Sequence, residues 1–93
     1  MLEILFSEDL TAEGVSFQPR NGTVSTSVKA TREVVLAAGA LHSPQILQRS
    51  GVGPQQILES AHIPVKLDLP GVGQNFQDHP FASISATCNF PGL

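Results

Sequence analysis

The hydrophobic pattern changes character twice along the chain. Short alternating stretches come first. Glu3 to Phe6 reads as a strand, and Ser7 to Glu13 is polar turn material. Gly14 to Pro19 alternates and predicts a second strand, stopped by Pro19. Arg20-Asn21-Gly22 is a turn signal, because Asn-Gly suits positive φ. Thr23 to Ala30 is rich in β-branched residues and predicts a third strand. These strands are expected to form an antiparallel meander. Glu33 to Ala38 then departs from alternation. Its continuous apolar run predicts a parallel-type strand buried on both faces of a sheet.

A helical pattern follows. Ser43 suits an N-cap and Pro44 the first helical position, where no N–H is needed. This predicts a helix from Pro44 to Ser50, closed by Gly51 and facing Leu47 toward a helix–sheet core. Pro54 opens a second helix through Ser60 that should bury Ile57 and Leu58. Ile63 to Pro70 reads as a strand bracketed by prolines, Gly71 to Pro80 as a loop, and Phe81 to Phe90 as a final alternating strand. The fold class expected is α/β: a meander, one buried parallel-type strand and two short helices.

Composition narrows the picture. The chain has 93 residues, enough for one small domain, with 41% hydrophobic and 14% charged residues. The net charge of −3 supplies no basic patch for nucleic acid. Five Phe with no Trp or Tyr is thin for a domain that must build its own core. The single cysteine, Cys88, excludes an internal disulfide framework and a multi-cysteine metal site. The longest apolar run, Val34 to Leu41, falls far short of the roughly 20 residues of a membrane helix. Met1 leads into Leu2 to Phe6 with no basic leader segment, so secreted and cytoplasmic locations both stay open. Asn21-Gly22-Thr23 is a glycosylation sequon in a turn.

Candidate chemistry is sparse. Gly51-Val52-Gly53 and Gly71-Val72-Gly73 each begin like a dinucleotide fingerprint, but their sixth positions are Gln56 and Phe76. Gly51 also follows a helix instead of opening one, so both triplets read as a helix stop and a turn. Ala37-Ala38-Gly39 is a better candidate. It closes the predicted buried strand at its carboxyl end, where ligands bind in open α/β sheets. Gly39 lets a ligand approach the backbone, and the helix start near Ser43-Pro44 offers free N–H groups. Simple close packing is the alternative at this position. His42, His62 and His79 show no paired spacing for metal or nucleophilic chemistry. Asp78 beside His79 is no dyad, and an Asx turn explains it.

Gly39-Ala-Leu-His-Ser-Pro-Gln-Ile-Leu-Gln-Arg-Ser-Gly-Val-Gly53 resembles the second signature of the glucose–methanol–choline (GMC) oxidoreductases. Gly39, Ala40, Ser43, Pro44, Ile46, Leu47, Ser50, Gly51, Val52 and Gly53 all satisfy its constrained positions. Arg32 to Ala40 resembles the family's preceding strand, and Gly71 to His79 its Gly-Val-Gly-x-Asn-x-x-Asp-His continuation. Leu41 to Pro54 and Asn75 to Phe90 are most similar to fungal members of that family.

The resemblance implies a large flavoprotein with FAD in a Rossmann-like domain and a separate substrate domain. It implies oxidation of a small-molecule alcohol, with hydride passing to the flavin and no nucleic-acid or membrane partner. Residues 1–80 would be part of the FAD-binding domain, and residues 81–93 would start the substrate-domain sheet. Ala38, Gly39, Ser43 and Pro44 would lie against the cofactor. Asn75 and Asp78 would scaffold a loop near the domain junction. The family's Gly-x-Gly-x-x-Gly, its ribose-binding acid and its C-terminal histidine base have no counterpart here, and His79 is not that base. No catalytic or metal-binding residue is therefore assigned. The chain is expected to be a middle piece, inactive alone. A lyase or cyclase with a non-redox flavin, and a non-enzymatic binding or structural protein, are the competing readings.

Overall fold

The computed structural model describes residues 2–87. Strand β1 (Leu2–Phe6), β2 (Ala12–Phe17) and β3 (Thr26–Lys29) form an antiparallel sheet in the order β1-β2-β3. The expected meander is present. Its first turn closes through Ser7 and Thr11, whose backbone N–H and C=O meet at 2.9 Å, and Leu10 accepts φ +64° within it. The register slips between Leu5 and Phe6, which leaves Glu13 as a bulge. Gly14 beside it has a steric reason. A Cβ there would stand 2.3 Å from the Val28 carbonyl oxygen of β3.

Helix α1 (Gly39–Arg49) follows an extended segment, then β4 (Val52–Gly53), α2 (Gln55–Ser60) and β5 (Leu67–Asp68). β4 and β5 pair in parallel across α2, a miniature strand–helix–strand unit. Asp68 on β5 caps α2, its carboxylate accepting the Gln55 N–H at 2.9 Å. Among the described residues the buried apolar core is Ile4, Ile46, Val52, Leu58 and Val72.

Several expectations change. Glu33 to Ala38 is not a strand, and Val35 is 76% exposed. A parallel strand needs a hydrogen-bonded neighbour, and no described strand lies beside this segment. α1 begins at Gly39, not at Pro44, so Ser43 and Pro44 sit inside it. Ala40 and Leu41 are strong helix formers, and Gly39 at φ +83° turns the chain into them. On α1, Ile46 takes the core position, while Leu47 is half-buried and lines a cleft. On α2, Leu58 is fully buried but Ile57 is not. The strand expected from Ile63 to Pro70 contracts to two residues. Phe81 to Thr87 forms no strand, with Phe81 90% and Ile84 96% exposed. Cys88 to Phe90 of that expected strand, like the rest of the C-terminus, lie outside the described residues.

Candidate functional site

Three structural choices create one groove. Gly39 turns the chain abruptly, α1 runs away from it, and the segment after β5 folds back alongside the helix. Val72 to Gln77 forms the opposing wall. It is held by local bonds from the Val72 N–H to the Leu69 carbonyl and from the Gln74 N–H to the Gly71 carbonyl, at 3.1 and 3.2 Å. Asn75 at φ +53° redirects the chain there, and its side-chain carbonyl accepts from Gln77 Nε2 at 2.9 Å.

The larger opening, about 680 Å³, lies between this wall and Ala40, Leu41, Ser43, Pro44 and Leu47 of α1. A smaller one, about 350 Å³, adjoins it and is lined by Ala38 to His42 together with Phe76, Gln77 and Asp78. Leu41 and Phe76 border both, so the two openings share a wall. The residues expected at the cofactor are thus brought to adjoining walls, with Ala38 and Gly39 in one opening and Ser43 and Pro44 in the other.

The helix start is chemically open. Ala38 at the N-cap offers no side-chain hydrogen bond, and the first turn carries no acidic residue. Its backbone N–H groups and the positive end of the helix dipole favour an anionic or acceptor-rich group. Ser43 reaches back instead of capping. Its Oγ accepts the Ala38 N–H at 3.1 Å and ties the entering chain to the second turn. Pro44 has no N–H, so the Ala40 carbonyl receives no helical bond from it. A Cβ built on Gly39 would meet nothing within 4 Å. Close packing against the rest of this chain therefore does not explain Gly39. Its positive φ does, and it leaves the backbone accessible from the groove.

The triplets behave as expected of a helix stop and a turn, but with tighter packing. Gly51 follows α1 at φ +90°, and its N–H bonds the Gln48 carbonyl at 3.0 Å. His79 and Asp78 form no dyad. The Asp78 carboxylate accepts the His79 backbone N–H at 2.7 Å. No group of three or more His, Cys, Asp or Glu residues among the described residues is placed to hold a metal. Sequence reasoning missed Gln48 and Phe76. A polar residue one turn beyond Pro44 carries no periodic signal that separates it from a solvated one.

Comparison with known proteins bears on the whole segment. The GMC oxidoreductase family model matches residues 2–81. The chain belongs to the GMC oxidoreductases. GMC relatives include the oxygen-dependent choline dehydrogenase of Pseudomonas fluorescens, 47% identical over 96% of this chain and 16% of that protein. The enzyme of the same name from Pectobacterium carotovorum subsp. carotovorum is 51% identical over 96% of this chain and 15% of its own length. Among solved structures, an FAD-dependent oxidoreductase from Chaetomium thermophilum is 48% identical with a TM-score of 0.69, over 74% of this chain and 12% of that one. A formate oxidase structure is 31% identical with a TM-score of 0.67, over 71% of this chain and 11% of its own. The chain therefore spans about one-sixth of the curated relatives' length. The Chaetomium thermophilum neighbour is FAD-dependent, and the α/β fold of this segment is that of the Rossmann-like flavoproteins.

Proposed function

We propose that this segment forms one wall of the FAD site in an enzyme that oxidises an alcohol. Residues 1–80 are read as part of the FAD-binding domain and residues 81–93 as the start of the substrate domain. The observation that carries the reading is Gly39. It combines a conformation that side chains rarely adopt, empty space above its Cα and an uncapped helix start. That combination suits a bulky acceptor-rich group lying across the backbone.

When bound, FAD supplies the hydride acceptor for oxidation of a CH–OH group. The chain's own residues act by shape and dipole. Ala38 and Gly39 allow backbone-close approach, and the first-turn N–H groups of α1 offer donors. Ser43 holds the Ala38 N–H, so the entry into the helix keeps one geometry. Pro44 stiffens the helix wall beneath the groove. None of these side chains is assigned a proton-transfer role.

The test is a full-length GMC oxidoreductase carrying residues 2–81 of this chain. Purified, it should hold flavin near one equivalent and reduce a dye acceptor only when an alcohol is added. Flavin bound at stoichiometry without alcohol-dependent reduction would overturn the oxidoreductase reading in favour of a non-redox flavin. Loss of flavin with the fold intact would overturn the placement of the site.

A further inference from the structure

The two Gly-x-Gly triplets lie 20 positions apart in sequence, yet one side chain lies against a glycine of each. Gln48 leaves α1 on the side facing the groove's far wall. A Cβ on Gly53 would stand 2.8 Å from its Cγ, and a Cβ on Gly73 would stand 3.1 Å from its Nε2. The side chain thus occupies a slot that glycine at 53 keeps open and that Gly73, itself at φ +80°, borders closely. Within that slot its carboxamide donates to the Val72 carbonyl at 3.3 Å. Among the described residues this is the one hydrogen bond that joins residues 72–77 to α1. The wall's other bonds are local to the wall itself.

We infer that Gln48 is a positioning residue, a clamp that sets the separation between α1 and the Val72–Gln77 wall and so the width of the cofactor groove. The cofactor part of this inference rests on the function proposed above. The clamp itself rests only on contacts within the chain. Chemistry selects the residue type. A methionine matches the length but cannot donate to a carbonyl. A glutamate matches the shape but sets a carboxylate against the carbonyl oxygen. Glutamine supplies reach, planarity and a donor together.

The test uses a full-length GMC oxidoreductase that carries residues 2–81, with Gln48→Glu and Gln48→Met as separate variants. Amide hydrogen exchange is followed at Val72 and Gln74, whose N–H groups are bonded in the wall, and along α1 and β1–β2. The flavin-to-protein absorbance ratio and the visible circular dichroism of bound flavin are recorded on the same samples. Both variants should speed exchange at Val72 and Gln74 by about five- to ten-fold, as expected for the loss of one hydrogen bond, and leave β1–β2 unchanged. The flavin dichroism should change in both. Unchanged exchange at Val72 and Gln74 in either variant that folds would overturn the clamp. A uniform rise that includes β1–β2 would overturn it too, because Gln48 would then be ordinary packing. Faster wall exchange with unaltered flavin ratio and dichroism would keep the clamp but overturn its role in the cofactor groove. Were both variants to fail to fold, the residue would be structural and the inference would fall.

Discussion

Ser50 holds Ile4 across 46 residues of sequence. The Ser50 hydroxyl accepts the Ile4 N–H at 2.7 Å and donates to the Ile46 carbonyl at 2.7 Å. Ser50 is only 3% exposed, so both bonds are made away from water. One hydroxyl thereby joins edge strand β1 to the last turn of α1. Ser50→Ala would leave the Ile4 N–H without that acceptor. It should destabilise the fold by about 1–3 kcal/mol. Urea unfolding measures this, and a midpoint equal to that of the parent protein would refute it.

Gly51 and Gly71 begin the two triplets but should respond differently to the same change. Gly51 has φ +90°, and a Cβ there would stand 2.7 Å from the Pro64 carbonyl oxygen. Gly71 has open space at its Cβ position. Gly51→Ala should lower stability by about 1–3 kcal/mol through strain and contact. Gly71→Ala should stay within about 0.5 kcal/mol of the parent. Paired thermal melts decide the matter, and equal effects at the two positions would contradict it.

Gly39→Val should empty the flavin site more than Ile46→Ala does, in a full-length flavoprotein carrying this segment. Valine is β-branched and resists φ +83°, and its side chain would project into the open groove. Ile46 is buried in the core, so its truncation should cost about 2–5 kcal/mol of stability and leave the groove surface intact. The absorbance ratio of flavin to protein in the folded fraction separates the two. Stoichiometric flavin in Gly39→Val with only a lower melting temperature would mean that Gly39 serves the backbone turn alone.

By itself, the 93-residue chain should show no saturable FAD binding in the low micromolar range (~10 μM). Affinity depends on a preorganised site, and under the function proposed above this segment presents one wall of it. Flavin fluorescence titration of the purified chain is the check. Alcohol-dependent dye reduction by the chain would contradict the prediction more strongly.

Asp9 should titrate below the usual carboxylate range. The Ser7 hydroxyl donates to its carboxylate, and the Thr11 backbone and side chain add to the effect. A folded-state pKa below the unfolded one means that this turn is supported at pH above the ordinary value. The support is lost as pH falls through the lowered pKa. Ser7→Ala should raise the Asp9 pKa, as read by carboxyl NMR titration. An unmoved titration curve would remove Ser7 as the main cause.

The features legible in the sequence were those decided within a few residues. The meander followed from alternation, the end of α1 from Gly51, and the start of α2 from Pro54. Asn21-Gly22 lies in the link from β2 to β3, but the turn there closes from the Gly22 N–H to the Pro19 carbonyl, and neither residue takes the positive φ expected of it. The family was legible too, because its signature is a contiguous run from Gly39 to Gly53. Tertiary structure decided what depends on distant partners. Ser43-Pro44 looks like a helix start, but favourable residues before it and the turn at Gly39 moved that start five residues earlier. Val34 to Leu36 has a strand's composition, yet a parallel ladder forms only where a neighbouring strand supplies hydrogen bonds. Gly51 has a positive φ and is also crowded by the Pro64 carbonyl and the Lys66 side chain, more than ten residues away, and Gly73, also at positive φ, lies against Gln48 from 25 residues away. Ser50 likewise fits a signature position on sight, but its bond to Ile4 exists only once β1 lies against α1. Local propensity reaches along the chain for a turn or two. A clash or a hydrogen bond between residues tens of positions apart has no local signal until folding brings the atoms together.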